Sequence, residues 1–332
     1  MNVAVTAVGG VVGQGIIKSL QNTEYDVVAI DPEELATGLY AARKSCLGLY
    51  AKDKEFINRI VEICKTENCK IIFPGMDVEL IPLSNQASLL KANGIYPVVS
   101  RPEVVKICDN KMLTLSFLKR HNFPYPKSFD LREYAFELDF PVIFKPKKGE
   151  GSAGVFLVDD KEQFDAISKS LDASSYIVQE YIDGEEYTCG TVTLQNKCIG
   201  VILMKRQLRA GATYKAFVVK NDALEKFIKN VITTLKPFGA CNIQLRMIDN
   251  VPFIFDINAR CSGATPARTL AGFNEPKIIC DFVSKGVNDP KFSIREVAIL
   301  RYWSELAVSY NSIKEMRNNG CVNGSGARLW GY

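Results

Sequence analysis

Phe238-Gly239-Ala240-Cys241-Asn242-Ile243-Gln244-Leu245 is followed, after a short link, by Phe253-Ile254-Phe255-Asp256-Ile257-Asn258-Ala259-Arg260. Both stretches are apolar and β-prone, and Asp249-Asn250 between them is a turn-forming pair, so the segment reads as a hairpin. Side chains alternate across a strand, which puts Asp256 and Asn258 on one face, within reach of Gln244 on the partner strand. One carboxylate and two amide oxygens make a hard, oxygen-rich pocket, suited to Mg²⁺ completed by phosphate and water. Taken alone, the hairpin leaves a second reading open, in which Asp256 and Asn258 only cap the strand end.

Upstream, Phe144-Lys145-Pro146 ends an apolar strand and leads into Lys147-Lys148-Gly149-Glu150-Gly151-Ser152-Ala153-Gly154-Val155. Glycines and small residues let backbone N–H groups wrap phosphate oxygens, and Lys145 adds a point charge to the same anion. A hairpin turn with solvated lysines is the alternative. Tyr176-Ile177-Val178-Gln179-Glu180-Tyr181-Ile182-Asp183-Gly184-Glu185-Glu186-Tyr187 is an apolar strand running into a short polar link. Such a link can present backbone groups to a purine edge, and a following carboxylate can take ribose hydroxyls.

In that order the segments resemble the ATP-grasp superfamily, closely its carbamoyl-phosphate-synthetase-like branch. Asp109-Asn110-Lys111 is similar to the family's entry motif, and Phe123-Pro124-Tyr125-Pro126 stands for its Gly-x-Pro-x-Pro segment. The resemblance implies that Lys111, Lys145 and the loop with Gly151, Ser152 and Gly154 hold ATP phosphates. It makes Glu180, Tyr181 and Ile182 the adenine hinge and Glu186 the ribose carboxylate. Gln244, Asp256 and Asn258 become the ligands of Mg²⁺ (or Mn²⁺), with Arg260 as the phosphate-contacting arginine. The family usually has Glu at the position of Asp256, and the shorter side chain suits one metal better than a bridge between two.

Composition agrees with a soluble globular chain: 332 residues, 47% hydrophobic, 23% charged, net charge +4. No dense Lys/Arg block appears, which argues against nucleic acid as a partner. No apolar run reaches membrane-spanning length, and the N-terminus enters a strand directly, so the expectation is a cytoplasmic protein. The ten cysteines are scattered. Cys198 and Cys280 sit in apolar stretches and read as small buried hydrophobes in a reducing compartment, while Cys64 and Cys69 lack a second pair to complete a zinc site.

The fold expected is α/β: a Rossmann-like pre-ATP-grasp domain over residues 1–101, a lid subdomain over 102–182 and a metal and substrate subdomain over 183–332. Asn2 to Val8 reads as a strand, Gly9 to Gly15 as a loop opening a helix through Leu20, and Val27 to Ile30 as a second strand ending at Asp31. That order suggests a dinucleotide fold, although the glycine spacing departs from G-x-G-x-x-G. Glu55 to Lys65 reads as a helix, Ile71 to Pro74 as a strand, and a helix starts near Asp77. There Asp77 and Glu79 read as a cap and a first-turn acid, with a substrate-facing cleft as the other option. Asn110 to His121 reads as a helix with Leu113, Phe117 and Leu118 on one side. The single His121 reads as a surface residue. Asn318 to Tyr332 is Gly/Asn-rich, and its role stays open.

Phosphoryl transfer needs positioning, charge neutralisation and a metal at the phosphates. The family resemblance implies an ATP-dependent ligase whose partners are a small carboxylate and an amine, passing through an acyl phosphate. A homodimer is left open as an assembly. Within Lys205 to Ala216, Arg209 or Lys215 would orient the carboxylate or carry transition-state charge, weighed equally against a solvated basic loop. The N–H groups of Cys261 to Thr265 either hold a substrate anion or form a plain helix cap. An acyl-phosphate-forming kinase-like enzyme and a silent ATP-binding module are the alternatives, and a nicotinamide oxidoreductase rests only on Gly9 to Asp31.

Overall fold

Alternating strands and helices at the N-terminus build a six-stranded sheet. In the computed structural model, which describes residues 1–149, 153–209, 211–302, 304–324 and 328–329, its spatial order is Cys321–Asn323, Lys44–Leu47, Asp26–Asp31, Asn2–Val5, Cys69–Phe73, Tyr96–Pro97. All pairs are parallel except the outermost, where Cys321–Asn323 runs antiparallel to Lys44–Leu47. The central strands are apolar throughout because helices cover both faces. Val3, Val5, Ile71 and Phe73 point into one core, Ala4 and Ile72 into the other. The first strand stops at Val5, short of the expected Val8, because Ala7 turns into the left-handed region (φ 47°) to enter helix Val11–Leu20.

The return of the C-terminal segment to this sheet has no signal in the local sequence. It sets Cys321 opposite Cys46, and the two form a disulfide across a separation of 275 residues. The reading of the cysteines as thiols therefore fails for this pair. It holds for Cys280, which is buried, while Cys198 is only half-buried.

A second six-stranded sheet is antiparallel throughout, in the order Val251–Asn258, Gly239–Ile248, Glu185–Leu194, Lys197–Arg209, Ala212–Val219, Ala298–Leu300. Helix Asp222–Leu235 lays Leu224, Ile228, Val231, Ile232 and Leu235 on one face, against Cys189, Leu203, Ile243 and Leu245. Helices Pro102–Asp109 and Lys111–Arg120 join the same core through Val104, Phe117 and Leu118. Leu113 does not; it is 46% exposed, and Thr114 and Leu115 face inward instead. On the other face, Val192, Ile202 and Met204 share a continuous core with Ile16 and Ile279, so this sheet and the first are packed as one body.

Ser128–Asp130, Tyr176–Glu180, Val142–Pro146 and Phe156–Val158 form a separate four-stranded antiparallel sheet with its own small core around Phe144, Phe164 and Val178. Among the described residues, no helix is long and apolar enough to cross a membrane.

Candidate active site

The hairpin expected at the C-terminal third is present. Asp249 and Asn250 both take positive φ (49° and 62°), the geometry that closes a two-residue hairpin turn without splaying its strands. A bulge after Gln244 pairs Gln244 with Asp256 and Leu245 with Ile254, leaving Phe255 as the extra residue. The hairpin thereby meets the small sheet across a cleft of about 1020 Å³. Lys111, Lys145, Gly149, Glu180, Ile182, Glu186, Gln244 and Asp256 line it, joined by Gln179, Arg206 and Arg246.

Lys145, on strand Val142–Pro146, is 8% exposed. Its Nζ donates to Gln179 Oε1 at 2.6 Å and stands 4.5 Å from the centre of the Phe255 ring. Burial brings its pKa down to about 8, an effect that the nearby Asp256 carboxylate opposes. A buried ammonium with one neutral acceptor is held ready for an incoming anion.

Glu186 sits directly opposite Arg246 in the strand register. Its Oε1 accepts from Arg206 Nε at 2.8 Å, and its Oε2 from Arg246 Nη2 at 3.1 Å. Arg206 also donates to Gln244 Oε1 at 2.9 Å, and Arg246 to the Ile182 carbonyl at 3.0 Å. The two arginines thus tie Glu186 to the Ile182 carbonyl on one side and to Gln244 of the hairpin on the other. Each carboxylate oxygen retains acceptor capacity for a hydroxyl. Glu180 closes strand Tyr176–Glu180, its Oε2 accepting from the Lys127 N–H at 2.9 Å, and Tyr181 lies under the Arg246 guanidinium at 5.2 Å.

The loop after Lys145 is latched from the helix that begins at Lys111. Lys111 N–H donates to the Lys147 carbonyl at 2.9 Å, Lys111 Nζ to the Gly149 carbonyl at 3.3 Å, and Lys148 pairs with Asp109 at 2.8 Å. Gly154 has φ 69°, and a Cβ there would stand 2.6 Å from the Tyr176 hydroxyl, so glycine is required. Glu150, Gly151 and Ser152 lie outside the described residues.

At the metal end, Asn258 Nδ2 donates to Asp256 Oδ2 at 2.8 Å and so orients the one carboxylate. No group of three or more His, Cys, Asp or Glu side chains is placed to hold a metal among the described residues. The donors are oxygen-only and carry one formal charge. They fit a hard cation that draws its remaining ligands from phosphate and water, with Asp256 as main anchor.

Three expected site residues are placed elsewhere. Arg260 turns its fork onto Asp77, just beyond strand Cys69–Phe73 of the N-terminal sheet, Nε to Oδ1 and Nη2 to Oδ2, both at 2.5 Å. Asp77 is therefore not the cap read from its position. It starts the 3₁₀ turn Asp77–Glu79 and grips a partner 183 residues away. Glu79 is structural, buried and accepting from Thr6 Oγ1 at 2.7 Å and from the N–H groups of Gly75 and Met76; burial pushes its pKa up to about 7. Arg209 and Lys215 lie against the Tyr214 ring at 5.4 and 5.8 Å and do not line the cleft, whereas Arg206 of the same hairpin does. Beyond Arg260, the N–H of Ser262 donates to Thr265 Oγ1, that of Ala264 to Ser262 Oγ and that of Thr265 to the Ser262 carbonyl, which is capping and leaves these donors occupied.

The N-terminal glycine loop is likewise engaged within itself. Asp31, the residue a dinucleotide fold would offer to a ribose, accepts from the N–H of Gly9 at 2.8 Å and of Glu33 at 2.9 Å. A Cβ at Gly13 would stand 2.6 Å from the Ala7 carbonyl, so that glycine serves close packing of helix on loop.

An ATP-grasp domain model matches residues 108–264, and a PylC-like N-terminal domain model matches residues 5–99. The chain is 27% identical over 213 residues to D-alanine–D-alanine ligase of Clostridium perfringens, covering 55% of this chain and 70% of that one. It is 22% identical over 330 residues to the carbamoyl phosphate synthase large chain of Saccharolobus solfataricus, covering 89% of this chain and spanning 30% of that one's length. In structure it is similar to N5-carboxyaminoimidazole synthetase from Staphylococcus aureus, solved with ADP: TM-score 0.69, 16% identity, 96% of this chain and 84% of that one. The chain thus carries an ATP-grasp domain over residues 108–264, preceded by a PylC-like N-terminal domain over residues 5–99.

Proposed function

We propose that the protein is an ATP-dependent ligase that activates a small-molecule carboxylate as an acyl phosphate for attack by an amine. One observation carries this: Lys145, Arg206 and Arg246 converge with Asp256 and Glu186 in a single cleft between two sheets. Cations set against two hydrogen-bonded carboxylates are what a nucleoside polyphosphate with its counter-cation requires, and phosphoryl transfer asks the protein for little beyond positioning and charge. The ATP-grasp domain match and the ligases among its relatives support the same reading.

In this account Ile182 and Glu180 receive the base, Glu186 the ribose hydroxyls, and Lys145 and Lys111 the phosphates under the loop ending at Gly154. Asp256, oriented by Asn258 and flanked by Gln244, would hold Mg²⁺, which when bound supplies charge neutralisation at the phosphates. A carboxylate oxygen of the substrate bonds to the γ-phosphorus as the bond to ADP breaks. The amine nitrogen then bonds to the acyl carbon, and phosphate leaves with the electron pair of the C–O bond and the carboxylate oxygen. Lys145 has the position to carry charge that grows on the transferring group. Arg260, locked to Asp77, serves as a joint between the N-terminal domain and the hairpin. Residues 1–101 shape the substrate side, 102–182 cover the phosphates and 183–332 carry the metal end. ATP-consuming chemistry favours the cytoplasm as its setting.

The test is a thermal-shift screen of carboxylates with Mg²⁺ and a nonhydrolysable ATP analogue, followed by ADP release with ATP. ADP release that needs both a carboxylate and an amine supports the ligase. Release with carboxylate alone would make it an acyl-phosphate-forming enzyme. NADH raising the melting temperature where the ATP analogue does not would reject the assignment.

A further inference from the structure

A second groove, of about 650 Å³, lies away from the cleft, where the edge strand Tyr96–Pro97 of the N-terminal sheet meets the end of helix Asp222–Leu235. Lys91, Arg101 and Lys236 line it, with no acidic side chain among the lining residues and no ion pair to any of the three among the described residues. Its floor is aromatic: the Tyr96 and Phe238 rings lie 5.6 Å apart, and Phe238 is fixed by donation of its N–H to Ser100 Oγ at 2.9 Å. Lys91 Nζ stands 4.9 Å from the centre of the Tyr96 ring. The opposite rim is the hairpin turn Gln195-Asn196, whose two amides offer donors and acceptors.

Lys236 is the second sign. It ends helix Asp222–Leu235 in the left-handed conformation (φ 55°), where glycine is the usual residue and a β-carbon carries a cost. A lysine kept there against backbone preference, aimed at a groove with two other cations, is a strained position with a use.

We propose that this groove is a second ligand site, for a small phosphorylated ring compound of the nucleoside-phosphate class. The ring lies on Tyr96 and Phe238, and the phosphate is shared by Lys91, Arg101 and Lys236. Part of the positive character of Lys236 serves the carbonyl end of its helix, as lysines at such ends do. That role needs neither Lys91 nor Arg101 nor the two half-buried rings. The ligand would span the seam between the N-terminal domain and the ATP-grasp domain.

The experiment uses the full chain with the large cleft saturated by Mg²⁺ and a nonhydrolysable ATP analogue, and calorimetric titration with phenyl phosphate, inorganic phosphate and phenol. The expected result is one equivalent of phenyl phosphate bound, inorganic phosphate bound more weakly, and no heat from phenol. Lys91→Ala and Lys236→Asn should each weaken phenyl phosphate on the order of ten-fold, as loss of a charge-assisted contact does, while leaving affinity for the ATP analogue unchanged. Asn is chosen at 236 because it tolerates the left-handed conformation, so the variant keeps the helix end. Phenyl phosphate should also bind the Lys145→Met variant, which separates this site from the nucleotide cleft. The proposal is overturned by absence of binding at millimolar concentrations, by equal binding of inorganic phosphate, by competition from the ATP analogue, or by undiminished binding in both groove variants.

Discussion

Lys145→Met should make the nucleotide-free protein more stable while disabling it. The fall of the lysine pKa from 10.5 to about 8 means that its charged form costs the fold about 3 kcal/mol more than the neutral form. The sign follows from which state binds the proton less readily. The folded state does, so the cost is full below pH 8 and is relieved as pH climbs toward 10.5. Methionine keeps most of the buried stem and removes the charge. It also leaves Gln179 Oε1, in a side chain 2% exposed, without its 2.6 Å donor, which costs about 1–2 kcal/mol. The balance at pH 7 is a gain of about 1–2 kcal/mol, read as a melting temperature higher by about 2–4 °C. The gain should vanish by pH 10. In the unaltered protein, affinity for the ATP analogue should fall on the order of ten-fold per pH unit above 8, because only the protonated lysine neutralises phosphate. The variant should bind on the order of 10–100-fold more weakly with a flat profile over that range. Differential scanning calorimetry and titration at pH 7, 8, 9 and 10 read both effects. A variant destabilised by more than about 2 kcal/mol at pH 7, or one that keeps nucleotide affinity, would refute the argument.

Other residues give sharper local tests. Asp256→Asn removes the one formal charge among the proposed metal donors at nearly constant size, so ADP formation should slow on the order of 10²-fold or more while nucleotide binding survives in part; near-normal turnover would remove Asp256 from the site. Arg246→Ala releases both Glu186 Oε2 and the Ile182 carbonyl, and should raise the nucleotide KM on the order of ten-fold with a smaller change in kcat, since both partners lie at the proposed nucleoside end. Asp77→Asn removes the charge that the largely buried Arg260 guanidinium grips with two nitrogens and should lower stability measurably in urea unfolding; a neutral result would mean that the joint between the two domains does not depend on this pair.

Much of this architecture is legible in local sequence because local rules govern it. The Asp249-Asn250 turn, the apolar strands on either side and the buried parallel strands of the N-terminal sheet announce themselves by residue type. Arg246 lies two residues beyond Gln244 on the same strand, but it meets Glu186 across that strand's other pairing, with Glu185–Leu194, which the hairpin reading does not reach. Arg206 stood inside the basic stretch already singled out, but residue type alone could not say which of its cations faces the cleft; the pairing of Lys197–Arg209 with Ala212–Val219 does. Partnerships across long separations left no trace at all. Asp77 with Arg260 depends on how two domains meet, and Cys46 with Cys321 and Lys145 with Gln179 on which distant strands become neighbours in a sheet; a helix cap or a solvated lysine was the locally sufficient reading. Leu113 shows a smaller failure: an apolar residue in the first turn of a helix lies beside the buried stripe without belonging to it.

The central claim is that a carboxylate oxygen is phosphorylated and leaves with phosphate. A carboxylate substrate found by the screen, labelled with ¹⁸O in its carboxyl group and turned over with ATP, Mg²⁺ and the amine, tests it directly by mass spectrometry of the inorganic phosphate. The account predicts that each phosphate released carries one oxygen from the carboxylate. Phosphate without label, formed together with the coupled product, would contradict it.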